Sequence, residues 1–145
     1  MCVVITPTIR TADANPSDVG IRGGVTDDAD TGFVGMYLVS YIGPDFRIAP
    51  SFDLGFGNRE AFDVFTLRGT ANLEYAIPVG RSANLFPIFG ASVIYTNFDD
   101  CAGDCDELEA GANLGLGFEV DRFRFELTAG IGDIPDLTLA LGFTF

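Results

Sequence analysis

The most constraining feature of this chain is an alternation of apolar and polar residues, with a period of two, that runs through most of its length. The last segment is the clearest, because Leu137, Leu139, Leu141, Phe143 and Phe145 alternate with Thr, Ala and Gly. A period of two places successive side chains on opposite faces of a β-strand, whereas an amphipathic helix has a period of 3.6. The sequence therefore predicts strands with one apolar and one polar face, and no helical segment competes with them.

The alternation predicts eight strands separated by turn residues. The strands cover 18–26, 31–42, 46–56, 62–77, 84–98, 107–119, 122–131 and 137–145, with connections rich in Asp, Gly, Asn and Pro. Segment 31–42 is apolar on both faces, so the sequence does not show which face points inward. Eight antiparallel neighbours with short connections favour an all-β, up-and-down barrel, because closure removes exposed edges. The predicted domains are an N-terminal arm at 1–17 and the barrel at 18–145; the arm is either an extended segment that docks on a sheet or a neighbouring copy, or a loose tail.

The size of the apolar face decides which face points inward. On the last six predicted strands that face carries 27 large side chains, whereas a compact eight-stranded core holds on the order of 12 inward residues. The opposite face is rich in small residues and carries charges of both signs, which must pair because isolated buried charges are very costly. We therefore expect an apolar exterior around a polar interior. The expected interior ion-pair network comprises Arg22, Arg47, Asp53, Arg68, Glu74, Glu109, Glu119, Arg122, Arg124 and Glu126.

Composition and charge narrow the function. The chain has 8 Lys+Arg against 21 Asp+Glu, a net charge of −13, and no His. This excludes His-based catalysis and His-ligated metal sites, so we expect no enzyme and no cofactor. The strong acidity disfavours nucleic acid as a partner, because phosphate contacts need basic groups. No apolar run reaches the roughly 18 residues of a membrane helix, and the first residues are too short an apolar stretch for a secretory leader, so the leader is expected to be absent from this chain.

The three cysteines point to an oxidising compartment. Cys101 and Cys105 lie in a polar loop, where a disulfide is the preferred interpretation and two free thiols are the alternative. A zinc site is disfavoured, because no second Cys or His pair completes tetrahedral coordination. Cys2 is left over, as an inert residue, a lipid attachment point or an intermolecular bridge.

The same loop is strongly acidic, as are most of the connections at that end of the barrel. Carboxylates are hard oxygen ligands, so this rim is a candidate for divalent-cation binding. The alternative is solvation alone, since the spacing of a calcium-binding loop is absent. The candidate cation ligands are Asp99, Asp100, Asp104 and Asp106.

The strand pattern, the inward glycines and the final segment, Leu137-Thr-Leu-Ala-Leu-Gly-Phe-Thr-Phe145, resemble the small eight-stranded outer-membrane barrels of the OmpA/OmpX type. The resemblance covers roughly residues 18–145, and the terminal Phe resembles the assembly signal of that family. Two features depart from the family. The loops are short, and Trp is absent, so any aromatic girdle must use Phe together with Tyr37, Tyr41, Tyr75 and Tyr95.

Three hypotheses for the function follow from the predicted barrel. An apolar exterior needs a non-aqueous neighbour, so the first is a non-enzymatic outer-membrane barrel in a lipid bilayer, with a structural or surface-interaction role. The second is a structural subunit of an extracellular filament or tube, in which the exterior and the N-terminal arm pack against other copies. The third is a soluble lipocalin-like ligand carrier, which requires the apolar face to point inward. The first two predict a location in the outer membrane or outside the cell.

Overall fold

A computed structural model describes residues 17–27, 31–59, 62–98 and 106–145, which form one antiparallel β-barrel. In the described part of the chain, no helix is long and apolar enough to cross a membrane. The strands are β1 (Asp18–Thr26), β2 (Thr31–Tyr41), β3 (Phe46–Arg59), β4 (Phe62–Tyr75), β5 (Ile77–Pro78), β6 (Ala83–Phe98), β7 (Asp106–Val120), β8 (Phe123–Gly132) and β9 (Leu137–Thr144).

The nine segments make eight barrel strands, because β4 and β5 are two parts of one strand. Leu73 of β4 lies opposite Phe89 of β6, and Ile77 of β5 lies opposite Leu85, which is the same register continued past Ala76. Each of the other strands pairs with its neighbours in sequence, and β9 closes on β1. The structure therefore confirms the closed, eight-stranded, up-and-down barrel.

The pairing register sets the tilt of the strands. A row of paired residues followed once around the barrel leaves β2 at Tyr41 and returns to it at Thr31, ten residues away. The row passes through Arg47, Glu74, Ile88, Gly115, Thr128, Thr138 and Thr26. For eight strands, a stagger of ten residues corresponds to a strand tilt of about 40°.

The two faces of the sheet are sorted as the side-chain sizes predict. Phe52, Leu116 and Leu139 are 50%, 57% and 53% exposed, whereas Asp53 and Arg124 are 1% and 2% exposed. The apolar side chains thus radiate outward and the charged ones lie around the axis. This orientation rules out the lipocalin-like carrier, because that hypothesis requires an apolar lumen.

The pairing with β1 determines which side chains of segment 31–42 point inward. Phe33 pairs with Gly24 and Tyr37 pairs with Gly20, and both aromatic side chains point inward. The expectation that Tyr37 belongs to an outer aromatic girdle is wrong: it is buried, and its hydroxyl lies 2.7 Å from Thr144 Oγ1. The inward ring fits here because residue 20 is a glycine. Any side chain at that position would overlap the ring.

Phe86 is a further inward aromatic residue, and it depends on a glycine in the same way. It lies directly opposite Gly117 in the β6–β7 pairing and is fully buried. A Cβ placed on Gly117 would overlap the Phe86 ring. The glycine is therefore needed for close approach.

The barrel has two unlike ends. The connections 42–45, 79–82 and 121–122, together with Ser17 and Phe145, form one end, here called the turn end. The connections 27–30, 60–61, 99–105 and 133–136 join the strands at the other, here called the loop end. Acidic residues dominate the described part of the loop end: Asp27, Asp63, Asp106, Glu107, Asp133 and Asp136.

We predict that Gly117→Ala destabilises the barrel by about 1–3 kcal/mol, because the added methyl group forces Phe86 out of its position. The free energy of unfolding, measured with urea on refolded protein, tests this. Gly69→Ala is the matched control, since a Cβ on the outward-facing Gly69 has no atom within 4 Å. Equal effects of the two substitutions would contradict the packing argument.

Candidate functional site

The most organised group of polar side chains is an unbroken series of ion pairs inside the barrel, here called the interior ion-pair chain. Its members alternate in charge, and four arginines balance four carboxylates. In order from the turn end they are Glu119, Arg47, Glu74, Arg124, Glu126, Arg22, Asp53 and Arg68. The charges of these eight side chains sum to zero, which is the condition for placing so many charges in an enclosed space.

Cross-strand pairing builds the half nearest the turn end. Arg47 lies opposite Glu74 in the β3–β4 register, and its Nε is 2.8 Å from Glu74 Oε2. Arg124 lies opposite Glu119 in the β7–β8 register, and both of its terminal nitrogens donate hydrogen bonds to the Glu74 carboxylate. Glu119 Oε2 is 3.4 Å from Arg47 and 3.8 Å from Arg124. Glu74 is therefore shared between two buried guanidinium groups.

Glu126 joins this half to the other. It accepts hydrogen bonds from Arg124 Nε and from Arg22 Nη1, the latter at 3.0 Å. Arg22 in turn binds Asp53 through two parallel bonds of 2.8 and 2.5 Å, the bidentate geometry that suits a guanidinium and a carboxylate. Arg68, directly opposite Asp53, donates to the same carboxylate at 3.1 Å and to Thr138 at 3.3 Å.

The inward aromatic rings hold the guanidinium groups in place. Phe86 lies between Arg47 and Arg124, whose Cζ atoms are 4.4 and 4.3 Å from the ring centroid. Phe33 does the same for Arg68 at 4.6 Å and for Arg22 at 5.7 Å. These are cation–π distances, and the attraction is strongest where water is excluded.

Sequence reasoning did not assign this role to the inward aromatic rings. The only signal was that Phe86, Ile88 and Ile94 interrupt the polar face of β6.

A row of uncharged polar side chains lines the inner wall of the barrel on β4, β6 and β7. Thr70 and Ser92 hydroxyls are 2.9 Å apart, Ser92 donates to Asn113, and Asn113 Nδ2 donates to Asn72 at 2.7 Å. Asn72 and Asn113 can meet because the residue between them is Gly90, where a side chain would collide with both. These contacts satisfy buried amides and hydroxyls within the wall.

Two small cavities remain in the interior, and the smaller one lies between the ion-pair chain and this wall. One has a volume of about 20 Å³ and is lined by Arg22, Arg68, Ser92 and Asn113 among others. The other, nearer the loop end, has about 40 Å³ and is lined by Asp53, Thr66, Arg68 and Glu109 among others. Such volumes hold one to a few water molecules. The interior thus has the chemistry of a filled polar core.

The two remaining members of the expected network lie near opposite ends of the barrel. Glu109 is partly buried on β7 and lines the larger cavity near the loop end. Arg122 is exposed in the turn after β7 rather than inward as expected. The physical reason is that Asp121 takes a left-handed conformation (φ 54°), so the strand alternation that was extrapolated to Arg122 does not extend through the turn.

The other predicted site residues lie mostly outside the described ranges. Cys2, the Cys101–Cys105 pair, Asp99, Asp100 and Asp104 are in the segments that the structure does not describe, so the disulfide and the cation site stay predictions. Asp106 begins β7, is exposed, and accepts a 2.8 Å hydrogen bond from Asn97. Within residues 17–27, 31–59, 62–98 and 106–145, no group of three or more Cys, Asp and Glu is placed to hold a metal ion.

We predict that Glu74→Gln destabilises the barrel by roughly 3–5 kcal/mol, because it leaves one uncompensated positive charge shared between the buried Arg47 and Arg124. Urea-induced unfolding of the refolded protein measures the loss. Glu119→Gln is the control at the end of the same chain, where the side chain is 18% exposed, and we expect it to cost less than about 1 kcal/mol. A larger effect at Glu119 than at Glu74 would refute the proposed distribution of charge.

Comparison with known proteins places the fold. No protein-family model and no curated protein matches the sequence. Among solved structures, the N-terminal β-barrel domain of Pseudomonas aeruginosa OprF is similar with a TM-score of 0.66 and 16% identity, over 90% of this chain and 99% of that one. Neisserial surface protein A (NspA) has a TM-score of 0.56 and 12% identity, over 88% and 92% of the two chains. Ail, the attachment invasion locus protein of Yersinia pestis, has 0.55 and 14%, over 89% and 97%. The chain thus has the fold of the small eight-stranded outer-membrane barrels.

Proposed function

We propose that this chain is a non-enzymatic β-barrel that spans the bacterial outer membrane and has a structural or surface-interaction role. The observation that carries the proposal is the outward apolar surface, which continues around all eight barrel strands. In water, so large a contiguous apolar surface would drive association. A closed barrel satisfies all its strand hydrogen bonds internally, which is what a bilayer requires of a sheet.

The height of this apolar belt fits an outer membrane. On β3 it runs from Phe46 to Phe56 and on β7 from Leu108 to Phe118, which is eleven residues and ten residue-to-residue steps in each case. At about 3.3 Å per step and a tilt of about 40°, ten steps rise about 25 Å along the axis. That is the height of the lipid-facing band in outer-membrane barrels, and it is less than the roughly 30 Å of an average hydrocarbon core.

Aromatic side chains edge the belt at the turn end, which supports the same placement. Phe46 and Tyr75 pack edge to face with centroids 5.0 Å apart. Phe143 contacts Phe123 at 5.4 Å and Phe145 at 5.9 Å. Aromatic girdles of this kind mark the interfaces between lipid and water.

The filled interior supports a role that does not depend on passage through the barrel or on catalysis. Side chains occupy the lumen down to cavities of about 20 and 40 Å³. Any partner would then meet the protein at its ends, and the acidic loop end is the surface that offers specific chemistry. Two of the similar structures are, by name, an attachment invasion locus protein and a surface protein, which fits an interaction at the cell surface.

The filament hypothesis has no comparable support. The three similar structures are barrels without that role in their names, and the N-terminal arm, which was expected to pack against other copies, lies outside the described residues. The bilayer accounts for the whole outward belt, so the filament is not proposed.

Bilayer insertion can be tested with tryptophan, which the natural sequence lacks. Leu127→Trp places an indole at the middle of the outward belt, and Arg122→Trp places one in the exposed turn. In vesicles of lipid brominated near the middle of the acyl chain, we expect several-fold stronger quenching of the first. Weak, equal quenching, with protein that stays dispersed or forms ordered polymers without detergent, would overturn the proposal.

We further predict that Leu114→Arg destabilises the barrel in vesicles by about 2–4 kcal/mol, because the side chain would face the middle of the hydrocarbon. Leu108→Arg, on the same face of β7 near the loop end, is expected to cost about 0–1 kcal/mol. Urea titrations in vesicles compare the two variants. The same loss of stability at both positions would mean that Leu114 does not lie deeper in the hydrocarbon than Leu108, which contradicts the proposed membrane placement.

A further inference from the structure

The connection between β8 and β9 folds into the mouth of the barrel. Ile134 in this loop is 9% exposed, although Asp133 and Asp136 on either side are exposed. Its side chain lies against two glycines of the inner wall, where an added Cβ would come within 2.9 Å of it at Gly111 and 2.8 Å at Gly130. The two glycines thus form a seat for one apolar side chain within a polar mouth.

The loop roofs both interior cavities. Ile134 and Pro135 line the cavity of about 20 Å³, below which lie Arg22, Ser92 and Asn113. Pro135 also lines the cavity of about 40 Å³, beside Asp53 and Glu109. Within the described residues, this loop is therefore the connection that covers both cavities toward the loop end.

The loop is fixed to the barrel mainly at its C-terminal leg. Gly130 N donates to Asp136 O at 3.0 Å, Leu137 N donates to Asp27 Oδ1 at 2.9 Å, and Asp27 N donates to Leu137 O at 3.1 Å. The other leg leaves β8 through Gly132, whose φ of 102° favours glycine. Residues 133–135 lie between these points, and Ile134 supplies their apolar contact with the wall. They can lift without breaking a pair of the β8–β9 ladder.

We propose that residues 133–135 are a lid over the polar interior, seated by Ile134 and hinged at Gly132. Lifting the lid opens the two cavities to water and small polar solutes, since guanidinium, carboxylate, hydroxyl and amide groups line them. The opposite end stays closed, because Arg47, Phe86 and Arg124 are packed together there and are at most 2% exposed. The interior is therefore a compartment with one entrance, which goes beyond the structural role proposed above.

A cysteine reporter inside the compartment tests the lid. In protein whose three native cysteines are replaced by Ser, Ser92→Cys puts a thiol in the wall of the smaller cavity with little change of size. Its rate of reaction with a small, charged methanethiosulfonate reagent reports how often the interior is open. Combined with Ile134→Ala, we expect at least about tenfold faster labelling, because the lid loses most of its buried apolar contact.

The matched control is Ile131→Ala, which removes the same atoms from an outward-facing residue three positions earlier that is 57% exposed; its labelling rate is expected to change less than twofold. Resistance to protease in detergent shows that each variant is a folded barrel. If Ile134→Ala does not fold, Ile134→Val replaces it, with an expected rise of about two- to fivefold.

Labelling of Ser92→Cys that is equally fast with and without the Ile134 substitution would overturn the proposal, as would a thiol that stays unreactive in the folded Ile134 variants. Because the assay runs in detergent, its failure is independent of whether the barrel resides in a membrane.

Discussion

The narrow interior of an eight-stranded barrel with a stagger of ten residues is the constraint on which the rest of this structure depends. Such a barrel encloses only enough space for a limited set of inward side chains. Most of the bulky apolar residues therefore have to face outward, and the inward positions hold glycines, small polar residues, a few aliphatic residues such as Ile88 and Ile94, and a few long side chains. The long ones are arginines and carboxylates, which reach across the lumen, and three aromatic rings, each of which sits over a glycine of a neighbouring strand. The exterior is apolar because the interior has room for only a little apolar bulk.

Charge pairing then determines how the inward side chains are arranged. Replacing a buried ion pair by apolar residues often leaves a protein as stable or more so, so these pairs do not by themselves account for stability. Their consequence is register. Arg47 pairs with Glu74, and Asp53 with Arg68, only in the observed alignment of β3 and β4. The apolar pattern already excludes a slip of one residue, which would turn the whole strand over. A slip of two residues keeps both faces of the strand, but it moves each carboxylate two positions away from its arginine. The interior ion-pair chain thus selects one alignment among several that the apolar pattern alone would tolerate.

Much of this architecture follows from the sequence because the determining signal is local. Alternation with a period of two predicts the strands and their faces, and eight of the ten residues expected in the interior belong to the ion-pair chain. The features that the sequence does not predict are those that depend on contacts with residues of other strands. The phase of 31–42 depends on Gly20 and Gly24 across the pairing with β1, and the inward position of Phe86 depends on Gly117 on another strand. Arg122 departs from the pattern because one left-handed residue, Asp121, ends the alternation before it.

The burial of Ile134 likewise depends on residues that are distant in the sequence, and it makes the two ends of the barrel different. In the sequence it is one apolar residue in an acidic turn, and only the glycines at 111 and 130 explain why it is buried. At the turn end the lumen is closed by side chains of the strands themselves, Arg47, Phe86 and Arg124, which are packed against one another. At the loop end, within the described residues, both cavities are covered by a loop that packs on the wall through Ile134 and Pro135. Local openings of a structure follow the elements with the fewest buried contacts. Any exchange between the polar interior and its surroundings therefore takes place at the loop end, which is also where the acidic residues are concentrated.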